Sequence, residues 1–241
     1  MTFLGIRSGW LCFYVLLAGV ALLPSMGSAY PIDGFDRTGI RRLAYATRVM
    51  VGQMPGAELP AGAMLETEAI SLALADRPVD LKAPSLLSDS RFQEHISSLF
   101  PNRDQSYSVA VLDITAGRRI RLALHQAHRR FPVGSIGKLA VAAGLFAELK
   151  RLYPDDEAQR LRMLKQRIVE AGSWIETDHH TIPVFDPETH GFTIRQARQG
   201  DRFSLYEWAD HMISASANSA ASTLWKEIVL MRHFGRAYPP D

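Results

Sequence analysis

Cysteine is all but missing from this chain: of 241 residues only Cys12 is one. It lies inside an apolar run near the start, with no lipid-attachment context after it. If that run is removed on export, the mature chain has no thiol. That excludes a disulfide, a thiolate nucleophile and a cysteine-ligated metal, and leaves core packing alone to hold the fold. An excess of charge is missing too. The 27 Lys and Arg nearly balance the 25 Asp and Glu, for a formal net charge of +2. The basic residues are scattered, densest at Arg119-Arg121 and Arg129-Arg130. No nucleic-acid partner is expected, because such a partner needs a clustered basic face. A long apolar run is also lacking. A membrane-spanning helix needs ~20 apolar residues, and the stretch from Trp10 to Leu23 falls short of that.

What stands at the start is an export pattern. Arg7 is the only charge before Asp33, the apolar run follows, Pro24 breaks it, and Gly27-Ser28-Ala29 supplies small residues. This reads as a signal peptide over residues 1–29, cleaved after Ala29. The expected location is periplasmic or secreted, with no stable membrane anchor after cleavage. Residues 30–88 read as an N-terminal extension rich in Pro and Gly. Within it Ile40, Leu43, Ala44 and Ala46 recur at helical spacing, so a short helix is expected between Thr38 and Val51.

Residues 89–241 carry regular patterns. Ser88-Asp89-Ser90 can cap a helix with Phe92, Ile96 and Leu99 on one face, stopped by Pro101 and Asn102. Tyr107 to Ile114 and Arg119 to His125 alternate around a Gly-containing turn, which predicts a β-hairpin. A helix from about Ser135 to Leu152 is apolar on most sides and is expected to be buried nearly all round. A helix after Pro154 turns Leu161, Leu164 and Ile168 inward and stops at Gly172; Ser173 to Gly200 reads as a polar loop. Ser204 and Glu207 form a capping box before Leu205, Trp208 and Met212, and a last apolar helix runs from about Ser219 to Met231. The class is α/β, more narrowly α+β, expected as a monomer.

Two clusters can carry chemistry. In Ser135-Ile136-Gly137-Lys138 the spacing of three puts amine and hydroxyl on one helical face. A buried lysine there activates a serine that would otherwise be a poor nucleophile. Ser216-Ala217-Asn218 sits between two amphipathic helices, on a loop that can aim a hydroxyl and an amide into a cleft. Read alone, each cluster is also what a helix cap and a surface lysine look like. The segment lacks the leading glycine of a Gly-x-Ser-x-Gly elbow. His125, His128, Asp178, His179, His180 and His190 do not form a spaced ligand set, so no metal or other cofactor is expected.

Together the clusters resemble one family. Phe131-Pro132-Val133-Gly134-Ser135-Ile136-Gly137-Lys138-Leu139 is similar to the nucleophile segment of class A β-lactamases and related penicillin-recognising enzymes, and Ser214-Ala215-Ser216-Ala217-Asn218-Ser219 to their Ser-Asp-Asn segment. The resemblance spans roughly residues 90 to 231. It implies a helical subdomain beside an antiparallel sheet, and an acyl-enzyme formed on Ser135 from a β-lactam. It implies Lys138 as activator, Ser216 as proton relay, Asn218 as a substrate-binding residue, and backbone amides, one of them at Ser135, as oxyanion hole. A D,D-peptidase acting on peptidoglycan peptides is the rival, and a non-catalytic wall-binding module the third reading. Ala217 stands where the family has Asp, and no Lys-Thr-Gly, Lys-Ser-Gly or His-Thr-Gly occurs. The family's deacylating glutamate loop follows its second motif, so the chain is expected to be C-terminally truncated, with the sheet's last strands absent.

Overall fold

A computed structural model describes residues 31–57, 65–69, 83–100, 107–115, 117–176 and 178–239. The expected signal peptide and the helix stop at Pro101 and Asn102 lie outside them. The described residues form a mixed α/β fold with seven helices and small antiparallel sheets. None of these helices is long and apolar enough to cross a membrane.

Two helices open the described chain, α1 (Gly34–Thr38) and α2 (Arg41–Met50). Ile40, Leu43 and Ala44 are buried, as the helical spacing requires. Then α3 (Ser90–Ser98) starts where Asp89 accepts the Phe92 N–H at 2.8 Å. The expected hairpin follows as β1 (Val109–Asp113) and β2 (Arg121–His125), in register from Val109 opposite His125 to Asp113 opposite Arg121. The outer edge of β2 is covered by a side chain: Gln93 of α3 accepts the Leu124 N–H and donates to the Leu124 carbonyl, both at 2.8 Å. Among the described residues no third strand joins this sheet.

The core lies between α4 (Lys138–Leu152), α5 (Glu157–Gln166), α6 (Leu205–Ser214) and α7 (Asn218–Phe234). Leu145 and Leu149 of α4 pack with Leu205, Trp208 and Met212 of α6 and Ala220, Leu224 and Met231 of α7. The capping box forms as the sequence predicts: Glu207 N–H donates to Ser204 Oγ at 3.1 Å, and Ser204 N–H donates to the Glu207 carboxylate at 3.0 Å.

Three expectations are corrected. The Ser135 helix is not buried all round. Only Lys138, Leu145, Leu149 and Leu152 of α4 are buried, and Leu139 is 60% exposed; Ile136, in the turn ahead of the helix, is 70% exposed. Its other faces have no covering element among the described residues. Ile168 does not continue α5, which ends at Gln166; it is exposed on the strand β3 (Ile168–Glu170), paired with β6 (Arg202–Ser204). Val169 is the residue that turns inward there, and its carbonyl accepts Trp208 Nε1–H at 3.0 Å. Residues 173–200 are not a plain loop. They hold a second hairpin, β4 (Ile182–Phe185) with β5 (Phe192–Arg195). Tyr45 of α2 stacks on Phe192 with centroids 3.9 Å apart, so this hairpin seats the N-terminal helix.

His211 of α6 is fully enclosed, edge-on to Phe203 and Trp208, and neither ring nitrogen has a partner among the described residues. Burial pushes it from the ordinary 6.5 down to about 4, against the pull of Asp210 and Glu207. The native state therefore binds fewer protons than the unfolded chain between those values. Its contribution to stability is complete above pH 6.5 and is lost as pH falls toward 4, by ~3 kcal/mol. Urea unfolding at pH 7 and pH 4.5 is expected to show a smaller acid loss in His211→Phe than in the wild type. Equal losses in the two proteins would contradict this.

Candidate active site

Ser135 lies in a 3-10 turn, Gly134–Gly137, that leads directly into α4. A turn of this kind brings residues three apart together. Lys138, first residue of α4, thus points its amine back at Ser135, and Nζ donates to Ser135 Oγ at 3.2 Å. Ser135 stays exposed while Lys138 is 8% exposed. The nucleophile candidate faces solvent and the amine sits behind it.

The burial of Lys138 comes from the far end of the chain. The turn between α6 and α7 carries Ser216, whose φ of 56° is left-handed. For a non-glycine residue that conformation costs on the order of 1–3 kcal/mol and gathers at functional sites. Here it turns both oxygens of one residue toward the amine. Lys138 Nζ donates to the Ser216 carbonyl at 2.5 Å and to Ser216 Oγ at 3.1 Å. Three oxygens thus lie within hydrogen-bond distance of Nζ; an ammonium donates to all three, whereas a neutral amine donates to two and keeps a lone pair for a hydroxyl's proton. The Ala215 and Ala217 N–H groups both donate to the His211 carbonyl, at 3.3 and 3.2 Å, which fixes the turn to the end of α6.

No family model, no curated protein and no solved structure matches the chain. Of the four residues singled out by sequence, Ser135, Lys138 and Ser216 converge, the last across 78 positions. Asn218 is close in sequence but joins the cluster less directly. It opens α7 half-buried, and no hydrogen bond links its side chain to Lys138 among the described residues. Glu227 is well away from this chemistry. It is buried on α7, where it accepts Tyr238 Oη–H at 2.5 Å and pairs with Lys226 at 3.0 Å. Among the described residues no group of three or more His, Cys, Asp or Glu could hold a metal ion.

Sequence reasoning passed over two features near the site. The sequence places Asp178 and His180 in a polar loop without a spaced ligand set. In the fold the His180 ring Nδ1 lies 2.6 Å from Asp178 Oδ2, and the Asn218 N–H, the first of α7, reaches Asp178 at 3.4 Å. Burial acts to raise the Asp178 carboxyl, but the His180 and Asn218 hydrogen bonds outweigh it and hold it below the usual range. The second is Arg42 on α2. It donates to both carboxylate oxygens of Asp210, at 2.6 Å to Oδ1, and to Ser214 Oγ at 3.1 Å. Ser214 is the last residue of α6. Only its local Asp-x-x-x-Ser spacing, which makes a second hydrogen bond at 3.0 Å, was visible in the sequence.

Proposed function

We propose that this chain is an exported serine hydrolase of the penicillin-recognising kind, periplasmic or secreted. On this reading the fold is a partial β-lactamase-like arrangement, in which α4, α6 and α7 belong to the helical subdomain and β1 and β2 are the first strands of its sheet. One observation carries it: a single buried amine donates to two serine hydroxyls from distant parts of the chain, one of them exposed. A structural lysine needs oxygen partners, but it does not need one of them to be an accessible nucleophile.

The chemistry runs as follows. Ser135 Oγ bonds to the carbonyl carbon of a β-lactam while its proton passes to Lys138. The C–N bond breaks, Ser216 Oγ–H protonates the leaving nitrogen, and Lys138 returns a proton to Ser216. The product is an ester on Ser135. Asn218 binds the substrate amide, the N–H of Ser135 is one donor to the oxyanion, and no cofactor is needed. Hydrolysis of that ester needs a placed base. Glu227 is engaged elsewhere, and the sequence has no Lys-Thr-Gly to hold a substrate carboxylate. Acylation is thus the step that these residues support best.

A fluorescent penicillin is expected to label the full chain covalently, with unlabelled β-lactam in excess suppressing the band. Suppression by a D-alanyl-D-alanine peptide as well would point to the peptidase specificity. No covalent label at millimolar probe would contradict the hydrolase reading.

A further inference from the structure

The turn that presents Ser216 to Lys138 has a gap in its support. Helix α7 starts directly after it, and the first N–H groups of any helix lack partners within the helix. Ser, Thr, Asp or Asn at the preceding position normally supplies an acceptor. Here that position is Ala217, fully buried, in the extended conformation of a cap residue and without a side chain that can accept. Ser216 ahead of it is left-handed and strained, so the turn is held by its neighbours rather than by its own preference.

The acceptor arrives from forty residues upstream. Asp178 Oδ2 takes the Asn218 N–H at 3.4 Å, a long bond, strengthened because a carboxylate is favoured at the positive end of a helix. The carboxylate is itself fixed in place. His180 donates its backbone N–H to Oδ1 at 3.0 Å, and its ring Nδ1 contacts Oδ2 at 2.6 Å. His179 stacks on the His180 ring with centroids 4.3 Å apart. Asp178 is only partly exposed, and its charge is aimed at α7 rather than at solvent.

We propose that Asp178 is a positioning residue of the Ser135–Lys138–Ser216 site: oriented by His180, it caps α7 in place of Ala217 and so holds the Ser216 oxygens on the Lys138 amine. This rests on the reading of Ser135 as an acylated nucleophile. Asp178 does not touch the reacting atoms. Its effect passes through the turn, and a cap moved to residue 217 itself should replace it.

The test uses the full chain with Asp178→Ala, Asp178→Asn, and Asp178→Ala combined with Ala217→Ser. Two readouts are taken well below the unfolding temperature: the rate of labelling by fluorescent penicillin, and hydrogen exchange of the peptide covering residues 214–222. Asp178→Ala is expected to slow labelling ~2–30-fold, the range set by loss of a helix cap, and to speed exchange in that peptide. The added serine is expected to recover most of both changes. Asp178→Asn keeps one acceptor without the charge; it gives the same pattern at smaller amplitude and serves if Asp178→Ala does not fold. Wild-type rate and exchange in both Asp178 variants would overturn the proposal while leaving the Ser135 reading intact. Slower labelling with unchanged exchange, or with no recovery by Ala217→Ser, would also overturn it. If the wild type takes no label, the Ser135 reading fails, and so does the site role of Asp178, whatever the exchange data show.

Discussion

Replacing Lys138 with alanine is expected to slow the proposed acylation of Ser135 by ~10²–10⁴-fold, the range for loss of a placed proton acceptor. Ser135 has its hydroxyl 3.2 Å from one amine, and that amine also holds Ser216 through two oxygens. Alanine removes the one side chain that, among the described residues, hydrogen-bonds both serines. It also leaves the Ser216 carbonyl and hydroxyl without their donor, so the strained turn relaxes. Arginine is not expected to restore the rate, because a guanidinium stays charged and cannot accept the serine proton. The measurement is the pseudo-first-order rate of labelling against probe concentration. A Lys138→Ala rate within threefold of wild type would contradict the assignment of Lys138.

Arg42→Ala is expected to cost ~3–5 kcal/mol of stability, the effect of stripping one partner from a buried ion pair. Arg42 and Asp210 are each 9% exposed, and the guanidinium meets both carboxylate oxygens. Without it, the Asp210 charge stays buried on α6 with its main countercharge gone. Removing both charges is far milder: Arg42→Met with Asp210→Leu is expected to lie within ~1–2 kcal/mol of wild type, since an apolar pair of similar volume often matches a buried ion pair. Denaturant unfolding of the three proteins checks this. A loss below ~1 kcal/mol for Arg42→Ala alone would contradict it. The pair has a functional side as well. Arg42 also holds Ser214, two residues before Ser216, so residues from the N-terminal extension help set the end of α6 from which the Ser216 turn departs.

The elements legible in the sequence were those whose signals are local. Ser204, Glu207, Trp208 and Met212 fix the start and the buried face of α6 within nine residues. Alternation in β1 and β2 gave the hairpin. The spacing of three gave Ser135 and Lys138 in either a 3-10 or an α-helical turn. What escaped reading depended on distant partners. Pro183 inside a four-residue strand argued against β4, because proline cannot donate to a ladder. The His190 backbone at φ 60° closes that hairpin without a glycine at the same position. Ile168 continued the helical spacing of Leu161 and Leu164, yet the chain leaves the helix at Arg167 to pair with β6. Ser216 could be joined to Lys138 only through the family resemblance, because nothing in a sequence marks a contact over 78 positions. Asp178 looked like solvent-loving loop for the same reason: its partner, the Asn218 N–H, carries no side-chain signal. The apolar faces of α4 were read correctly as apolar and wrongly as covered.

The central claim is that Ser135 is the residue acylated. The most direct measurement is mass spectrometry of the full chain after brief exposure to a penicillin, followed by peptide mapping. The account predicts a gain of one intact β-lactam mass, located on the peptide at Ser135, and none in Ser135→Ala. An adduct that persists in Ser135→Ala, or that maps to another residue in the wild type, would contradict it.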